Sequence, residues 1–152
     1  MALIAIVIGS KTDEPLMQPA LEILDDFKIS YELSILSAHR KPDKVRQYAL
    51  EAAAEGFEVV IAAAGSAAHL PGVIASWTTL PVIGVPLPTS DLKGVDSLYS
   101  IVQMPGGVPV ACVGIGSAGA KNAALLAAQI LGNKYENIKK SFADYKRKLA
   151  EA

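Results

Sequence analysis

The segment FEVVIAAAG, residues 57–65, decides the fold class because it is a short, almost continuously apolar run that ends in glycine. A run of this length between two glycines is typical of a β-strand that is buried on both faces. Strands buried in this way occur in parallel sheets whose two faces are covered by helices. The flanking sequence should therefore alternate between helices and further strands.

The expected alternation continues in both directions from this segment. Apolar runs typical of strands lie at 3–9, 31–37, 80–86 and 108–116. Helical patterns separate them, at 13–27, 41–56, 66–77, 97–104 and 118–131. Five apolar strands that alternate with helices predict an α/β fold of three layers, a five-stranded parallel sheet with helices on both faces. No repeat or linker interrupts the chain, so we expect residues 1–152 to form a single domain.

A further helix is predicted at the carboxyl terminus. Residues 134–151 place Ile138, Phe142, Tyr145 and Leu149 on one apolar stripe, while the remaining positions are mostly charged. This amphipathic helix has no obvious partner within the chain. We therefore expect it to pack on a neighbouring subunit.

The composition limits the possible classes of function. A net charge of −1 disfavours a broad nucleic-acid-binding surface, and no apolar run reaches the length of a membrane span. The single cysteine, Cys112, cannot form an internal disulfide or a cysteine-rich zinc site. Two histidines without clustered carboxylates do not predict a protein metal site. We expect a cytoplasmic protein that binds neither nucleic acid nor membrane.

Three loops are the candidates for a binding site. Parallel α/β sheets bind ligands beyond the carboxyl ends of their strands, where the strand order reverses. The loops after the first three strands read GSKTD (9–13), SAHR (37–40) and AGSAAHLPG (64–72). They contain both histidines of the chain, His39 and His69. Their convergence at one edge of the sheet predicts a site there.

The first loop suits a phosphate group. It opens a helix, whose free N–H groups attract anions, and the Ser10 hydroxyl adds a donor. Asp13 is better suited to a sugar hydroxyl. The alternative is that Thr12 or Asp13 only caps the helix.

The second and third loops add an acid–base group and small residues. Arg40, expected in the first turn of a helix, can bind phosphate oxygens in a fork, and His39 can accept and donate a proton near neutral pH. The alternative is a surface arginine beside a histidine that binds a loop carbonyl. In the third loop, Gly65, Ala67 and Ala68 permit close approach of a flat ligand. For His69 alone, a helix cap or a subunit contact is the favoured interpretation.

The motifs together resemble a known enzyme family. GSKTD, SAHR, AAHLPG, GVDSLYSIVQMPGGVPVA and NAALLAAQIL occur in the order and spacing of the carboxyaminoimidazole ribonucleotide mutases of de novo purine synthesis. The resemblance extends from Ala5 to about Leu131. It implies a flavodoxin-like fold, a homo-octamer, and the transfer of a carboxylate from an exocyclic nitrogen to the adjacent ring carbon of a small ribonucleotide substrate. No metal or organic cofactor is expected.

The resemblance also implies roles for individual residues. His39 is expected to be the general acid and base. Ser10 and Arg40 are expected to hold the 5′-phosphate with Ser37 nearby, and Asp13 the ribose hydroxyls. The imidazole and carboxylate pocket is expected to be lined by Gly65, Ser66, Ala67, His69 and Leu70.

The chain departs from the family pattern at four positions, and other functions stay open. Thr12 replaces a serine, Lys41 a threonine, and Ala63 and Ser66 replace glycines. Ser66 brings a side chain to a place where backbone is expected to approach the ligand. The sister reaction, direct carboxylation of aminoimidazole ribonucleotide, is the first alternative. The second is a nucleotide-binding module without catalysis.

Overall fold

The computed structural model describes residues 1–152 and contains five strands and six α-helices. The strands are β1 (Ile4–Ile8), β2 (Tyr31–Ile35), β3 (Val59–Gly65), β4 (Val82–Leu87) and β5 (Ala111–Cys112). The helices are α1 (Gln18–Asp26), α2 (Pro42–Glu51), α3 (Leu70–Trp77), α4 (Val95–Val102), α5 (Ser117–Gly132) and α6 (Glu136–Glu151), and a 3-10 helix spans Lys11–Met17. No helix combines the length and apolar character needed to span a bilayer.

The strands form one parallel sheet in the order β2-β1-β3-β4-β5. This is the flavodoxin-like order, so the predicted fold is confirmed. The chain moves from β1 to one edge of the sheet and then returns to build the other side from β3. The order reverses between β1 and β3, which places a crevice at the carboxyl ends of these two strands.

The alternation of side chains along the strands separates two cores. In β1, Ile4, Ile6 and Ile8 pack into the larger core, which includes α1 and α5. Ala5 and Val7 point to the opposite face, where α2, α3 and α4 complete the smaller core. All five residues are fully buried, as expected for a strand covered on both faces.

The fifth strand is much shorter than the nine apolar residues 108–116 predicted. Only Ala111–Cys112 pair regularly with β4. Pro109 has no N–H to donate, and Gly116 adopts a φ of +77°, so both ends of the run leave the extended ladder. This segment stays beside β4 through a hydrogen bond from Gly116 N–H to Pro86 O at 2.9 Å.

Helix α6 has a partner within its own chain, contrary to the sequence-based prediction. Ile138 is buried, and Phe142 and Tyr145 pack against the larger core beside α5. The rings of Phe27 and Tyr145 meet edge to face, with centroids 6.0 Å apart. The sequence predicts the apolar stripe, but it does not show that α5 offers a surface that covers most of this stripe. Leu149, at the end of the stripe, remains 58% exposed.

Candidate active site

One cavity of about 300 Å³ lies at the carboxyl ends of the strands and is formed by the three predicted loops. Nine of the ten predicted site residues line it: Ser10, Asp13, Ser37, His39, Arg40, Gly65, Ser66, His69 and Leu70. Ala67 lies on the same turn but is exposed and does not line the cavity. The structure thus brings together residues from three separate parts of the chain.

The first loop begins a 3-10 helix rather than an α-helix, and Ser10 is its N-cap. The Ser10 Oγ accepts a hydrogen bond from Thr12 N–H at 3.4 Å and bonds Thr12 Oγ1 at 2.9 Å. Ser10, instead of Thr12 or Asp13, therefore performs the capping role. Pro15 lies inside this short helix and α1 begins only at Gln18, because proline disfavours a regular α-helix around it.

Asp13 is the only buried ionisable residue of the chain, with 7% of its surface exposed. Burial raises the pKa of its carboxyl above the ordinary value, and a hydrogen bond from the backbone of Ser10 opposes this effect. No cation of the protein pairs with it. A buried carboxylate without a cation is a strong acceptor for hydroxyl groups of a ligand.

The second loop forms a tight turn that presents His39 and Arg40 to solvent. Arg40 N–H donates to Ser37 Oγ at 3.2 Å, and Lys41 N–H donates to Ser37 O at 2.9 Å. Arg40 lies in this turn and not in the first turn of α2, which begins at Pro42. A residue before proline is disfavoured from helical geometry, which explains the later start. The Arg40 guanidinium forms no ion pair with the protein.

The third loop has an unusual backbone. Ser66 and Ala68 adopt φ angles of +52° and +41°, in the left-handed region that favours glycine. This turn delays the start of α3 to Leu70, whereas the sequence predicted helix from residue 66. A Cβ at Gly65 would lie 1.7 Å from Thr89 Oγ1. Glycine at this position leaves the space that the Thr89 side chain occupies.

The two histidines contact each other. His39 Nε2 lies 2.5 Å from His69 Nδ1, and the ring planes are nearly perpendicular at 89°. One nitrogen must donate and the other must accept, so the pair shares one proton between its facing atoms. His69 occupies the N-cap position of α3, but its side chain makes no capping hydrogen bond. Its ring instead faces His39.

The arrangement has the groups needed to bind a phosphorylated, hydroxylated ligand and to move a proton. Arg40 supplies an unpaired cation, Ser10 and the start of the 3-10 helix supply donors, and Asp13 supplies an acceptor. The histidine pair supplies a proton donor and acceptor beside them. No group of three or more histidine, cysteine or acidic side chains is arranged to hold a metal ion.

Sequence reasoning missed one lining residue outside the three predicted loops, Thr89. Thr89 follows β4, so its place after a fourth strand of the sheet was the available signal. Its contact with Gly65 closes one wall of the cavity. The other five lining residues belong to the predicted loops without a role assigned in a site: Gly9, Thr12, Ala38, Ala64 and Ala68, of which Ala68 was expected only to permit close approach of a ligand.

Comparisons with known proteins agree over nearly the whole chain. A family model described as AIR carboxylase matches residues 3–152. An N5-carboxyaminoimidazole ribonucleotide mutase of Thermotoga maritima is 56% identical over 98% of this chain and 86% of its own length. A protein of the same name from Saccharolobus solfataricus is 58% identical over 99% and 92%. The crystal structure of Treponema denticola PurE superposes with a TM-score of 0.89 and 30% identity, and covers 99% of this chain and 93% of its own.

Proposed function

The chain belongs to the AIR carboxylase family, and from this premise we propose that it is an N5-carboxyaminoimidazole ribonucleotide mutase of purine biosynthesis. Relatives with that name are 51–58% identical to it. The enzyme moves a carboxylate from the exocyclic nitrogen of the ribonucleotide to the adjacent carbon of the imidazole ring. The observation that supports this most directly is the His39–His69 contact beside Arg40 in one cavity.

The first two loops bind the nucleotide. Arg40 and Ser10 hold the 5′-phosphate, since an unpaired guanidinium and free N–H groups stabilise its charge. Ser37 fixes the turn that carries Arg40 through its hydrogen bond at 3.2 Å. Asp13 accepts hydrogen bonds from the ribose hydroxyls. These contacts leave the imidazole ring directed toward the third loop.

The third loop surrounds the base and the carboxylate. Gly65, Ser66 and Leu70 line the cavity beside His69, whereas Ala67 lies on the same turn outside the lining. Small side chains here allow a flat ring to lie close to the protein.

His39 transfers the proton in both halves of the reaction. The bond between the exocyclic nitrogen and the carboxylate carbon breaks, CO2 forms, and the nitrogen takes a proton from His39. The ring carbon then attacks CO2, and the proton that this carbon carried returns to His39. One imidazole, which can both donate and accept a proton, can serve both steps. His69 Nδ1 contacts Nε2 of His39 and thereby fixes the orientation of the His39 ring.

The related candidate is direct carboxylation of aminoimidazole ribonucleotide, which the family description names. Both reactions can be tested with the purified chain and two substrate mixtures. One contains N5-carboxyaminoimidazole ribonucleotide without bicarbonate, and the other contains aminoimidazole ribonucleotide with bicarbonate. The His39→Asn variant, prepared in parallel, controls for contaminating activity. Faster product formation from the first mixture supports the mutase, and formation from the second alone supports the carboxylase. Binding without product from either mixture indicates a non-catalytic module.

We also propose an assembly and a location for the protein. Residues 1–152 act as one domain that assembles into a homo-octamer in the cytoplasm. An exposed apolar surface around α4 consists of Leu92, Val95, Tyr99 and Val102. Leu149, near the end of α6, is also exposed. Burial of such surfaces favours association. Analytical ultracentrifugation tests the assembly, and a stable monomer at micromolar concentration would contradict it.

A further inference from the structure

A buried serine that is distant in sequence from the three loops contacts the turn of residues 65–68 in the third loop. Ser97 lies in the first turn of α4 and is fully buried, one of only two buried polar residues of the chain. Its Oγ lies 3.0 Å from Ser66 O and 3.2 Å from Leu87 O. The single hydroxyl proton is thus placed between the third loop and the end of β4. A buried hydroxyl is tolerated because it has such partners.

The turn that Ser97 contacts needs support. Ser66 and Ala68 both have positive φ angles, a conformation that is unfavourable for residues with a Cβ. Within the turn, Ala68 N–H donates to Gly65 O at 3.0 Å. The Ser97 hydroxyl makes the only side-chain hydrogen bond to the backbone of residues 65–68. It therefore favours the conformation that the side chains of the turn disfavour.

We propose that Ser97 is a positioning residue, which holds the turn of residues 65–68 and thereby places His69 against His39. His69 follows Ser66 by three residues and is the last residue before α3. The contact between the imidazoles depends on the position of the turn, because a hydrogen bond weakens when its distance and angle change. A displacement of the order of 1 Å in supporting structure is enough to impair catalysis.

The alternative role of Ser97 is only to fill space in the smaller core, where Ile101 of the same helix is also fully buried. Glycine at position 66 distinguishes the two roles. Glycine adopts a φ of about +50° without strain, so a turn that contains it depends less on the hydrogen bond from Ser97. If Ser97 only packs the core, its replacement has the same effect whichever residue occupies position 66.

The kinetic test uses the native protein with Ser97→Ala, Ser66→Gly and the double variant. We expect Ser97→Ala to lower kcat about tenfold, with a smaller change in KM because the phosphate-binding loops are elsewhere. In the Ser66→Gly background, the same change should lower kcat less than about threefold. An equal decrease in both backgrounds, or no decrease in either, would overturn the proposal. Ser97→Cys keeps a similar size and a weak donor, so it should fall between wild type and alanine and replaces alanine if that variant does not fold.

A spectroscopic test does not depend on turnover. Both histidines of the chain are in the site, so selective ¹⁵N-histidine labelling reports only on this pair. We expect the wild type to show one fixed imidazole hydrogen bond, Ser97→Ala to lose it, and the double variant to recover it. Unchanged imidazole spectra in Ser97→Ala would overturn the proposal.

The kinetic arm rests on the proposed mutase function, but the two can fail separately. Wild-type protein without turnover, combined with a Ser97-dependent imidazole pair, would refute the function and support the positioning role. Normal turnover with an imidazole pair that does not respond to Ser97 would support the function and refute the positioning role.

Discussion

A charged side chain is paired at the amino ends of the parallel strands, whereas the charged side chains at their carboxyl ends are unpaired. At the amino end of β3, Glu58 binds Lys134 Nζ at 2.8 Å and Tyr135 Oη at 2.5 Å, which ties the sheet to the turn between α5 and α6. At the carboxyl ends, Asp13 and Arg40 have no ion-pair partner in the protein. The amino end uses its charges to stabilise the fold. The carboxyl end leaves its charges available for a ligand.

The backbone shows the same contrast. Lys28, near the amino ends, has a φ of +55°, but it ends α1, where a left-handed residue is a common helix stop. Ser66 and Ala68 follow a strand instead and have no such local reason. The unfavourable backbone of Ser66 and Ala68 therefore lies where it shapes the cavity, at a cost that the surrounding contacts offset.

The largest expected effect is at the carboxyl end. We predict that His39→Asn lowers kcat by about 10²- to 10⁴-fold, because asparagine cannot donate and accept the proton that His39 is proposed to transfer. Ligand binding, measured by calorimetry with aminoimidazole ribonucleotide, should change little. Glu58→Gln at the amino end is the matched control and should keep wild-type turnover. Substantial turnover by His39→Asn would refute its assignment.

Arg40→Ala should affect binding more than chemistry. Loss of charge-assisted hydrogen bonds to phosphate is worth roughly 1.5–3 kcal/mol, so we expect KM to rise about 10- to 100-fold with a small change in kcat. Arg40→Lys keeps the positive charge but loses the forked guanidinium, so its KM should lie between those of wild type and Arg40→Ala. Steady-state kinetics at constant ionic strength checks this. Equal losses of kcat in the two variants would contradict a binding role.

Asp13→Asn should stabilise the fold while it weakens binding. Because the folded pKa of Asp13 is raised, its ionisation opposes folding at neutral pH, and this penalty disappears as the pH falls through the folded pKa. We expect the variant to melt about 2–4 °C higher at pH 7, with the difference shrinking in acid. Thermal unfolding across pH measures it. A variant less stable than wild type at pH 7 would show that the carboxylate supports the fold.

Glu58→Gln should have the smallest effect, with the opposite sign. Hydrogen bonds from Lys134 and Tyr135 lower the pKa of Glu58, so its stabilisation is present above the ordinary value of 4.5 and is lost as the pH falls through the folded pKa. Solvent screens this exposed pair and leaves it a small contribution, so a Tm lowered by less than about 3 °C at pH 7 is expected. The same unfolding series tests it. A difference that grows in acid would contradict this assignment.

Much of the fold and site follows from local sequence, and the exceptions have a common cause. The buried strands and the three loops were predictable because apolar runs and chain order determine which strand ends meet. The short β5 and the packing of α6 on α5 were not, because the pattern of one segment does not show the contacts that the segment makes in the folded chain. The His39–His69 contact joins residues thirty positions apart. The positive φ of Ser66 cannot be predicted from the residue type either, because serine usually has a negative φ.

The most direct test of the account is the fate of labelled carbon in the transferred carboxylate. The enzyme receives N5-carboxyaminoimidazole ribonucleotide labelled in that carbon, in buffer with unlabelled bicarbonate, and the label is measured in the ring-carboxylated product. We predict that the product retains the label, because the CO2 formed beside His39 recombines before it leaves the cavity. Product that carries only unlabelled carbon would contradict transfer within the site and make the chain a direct carboxylase.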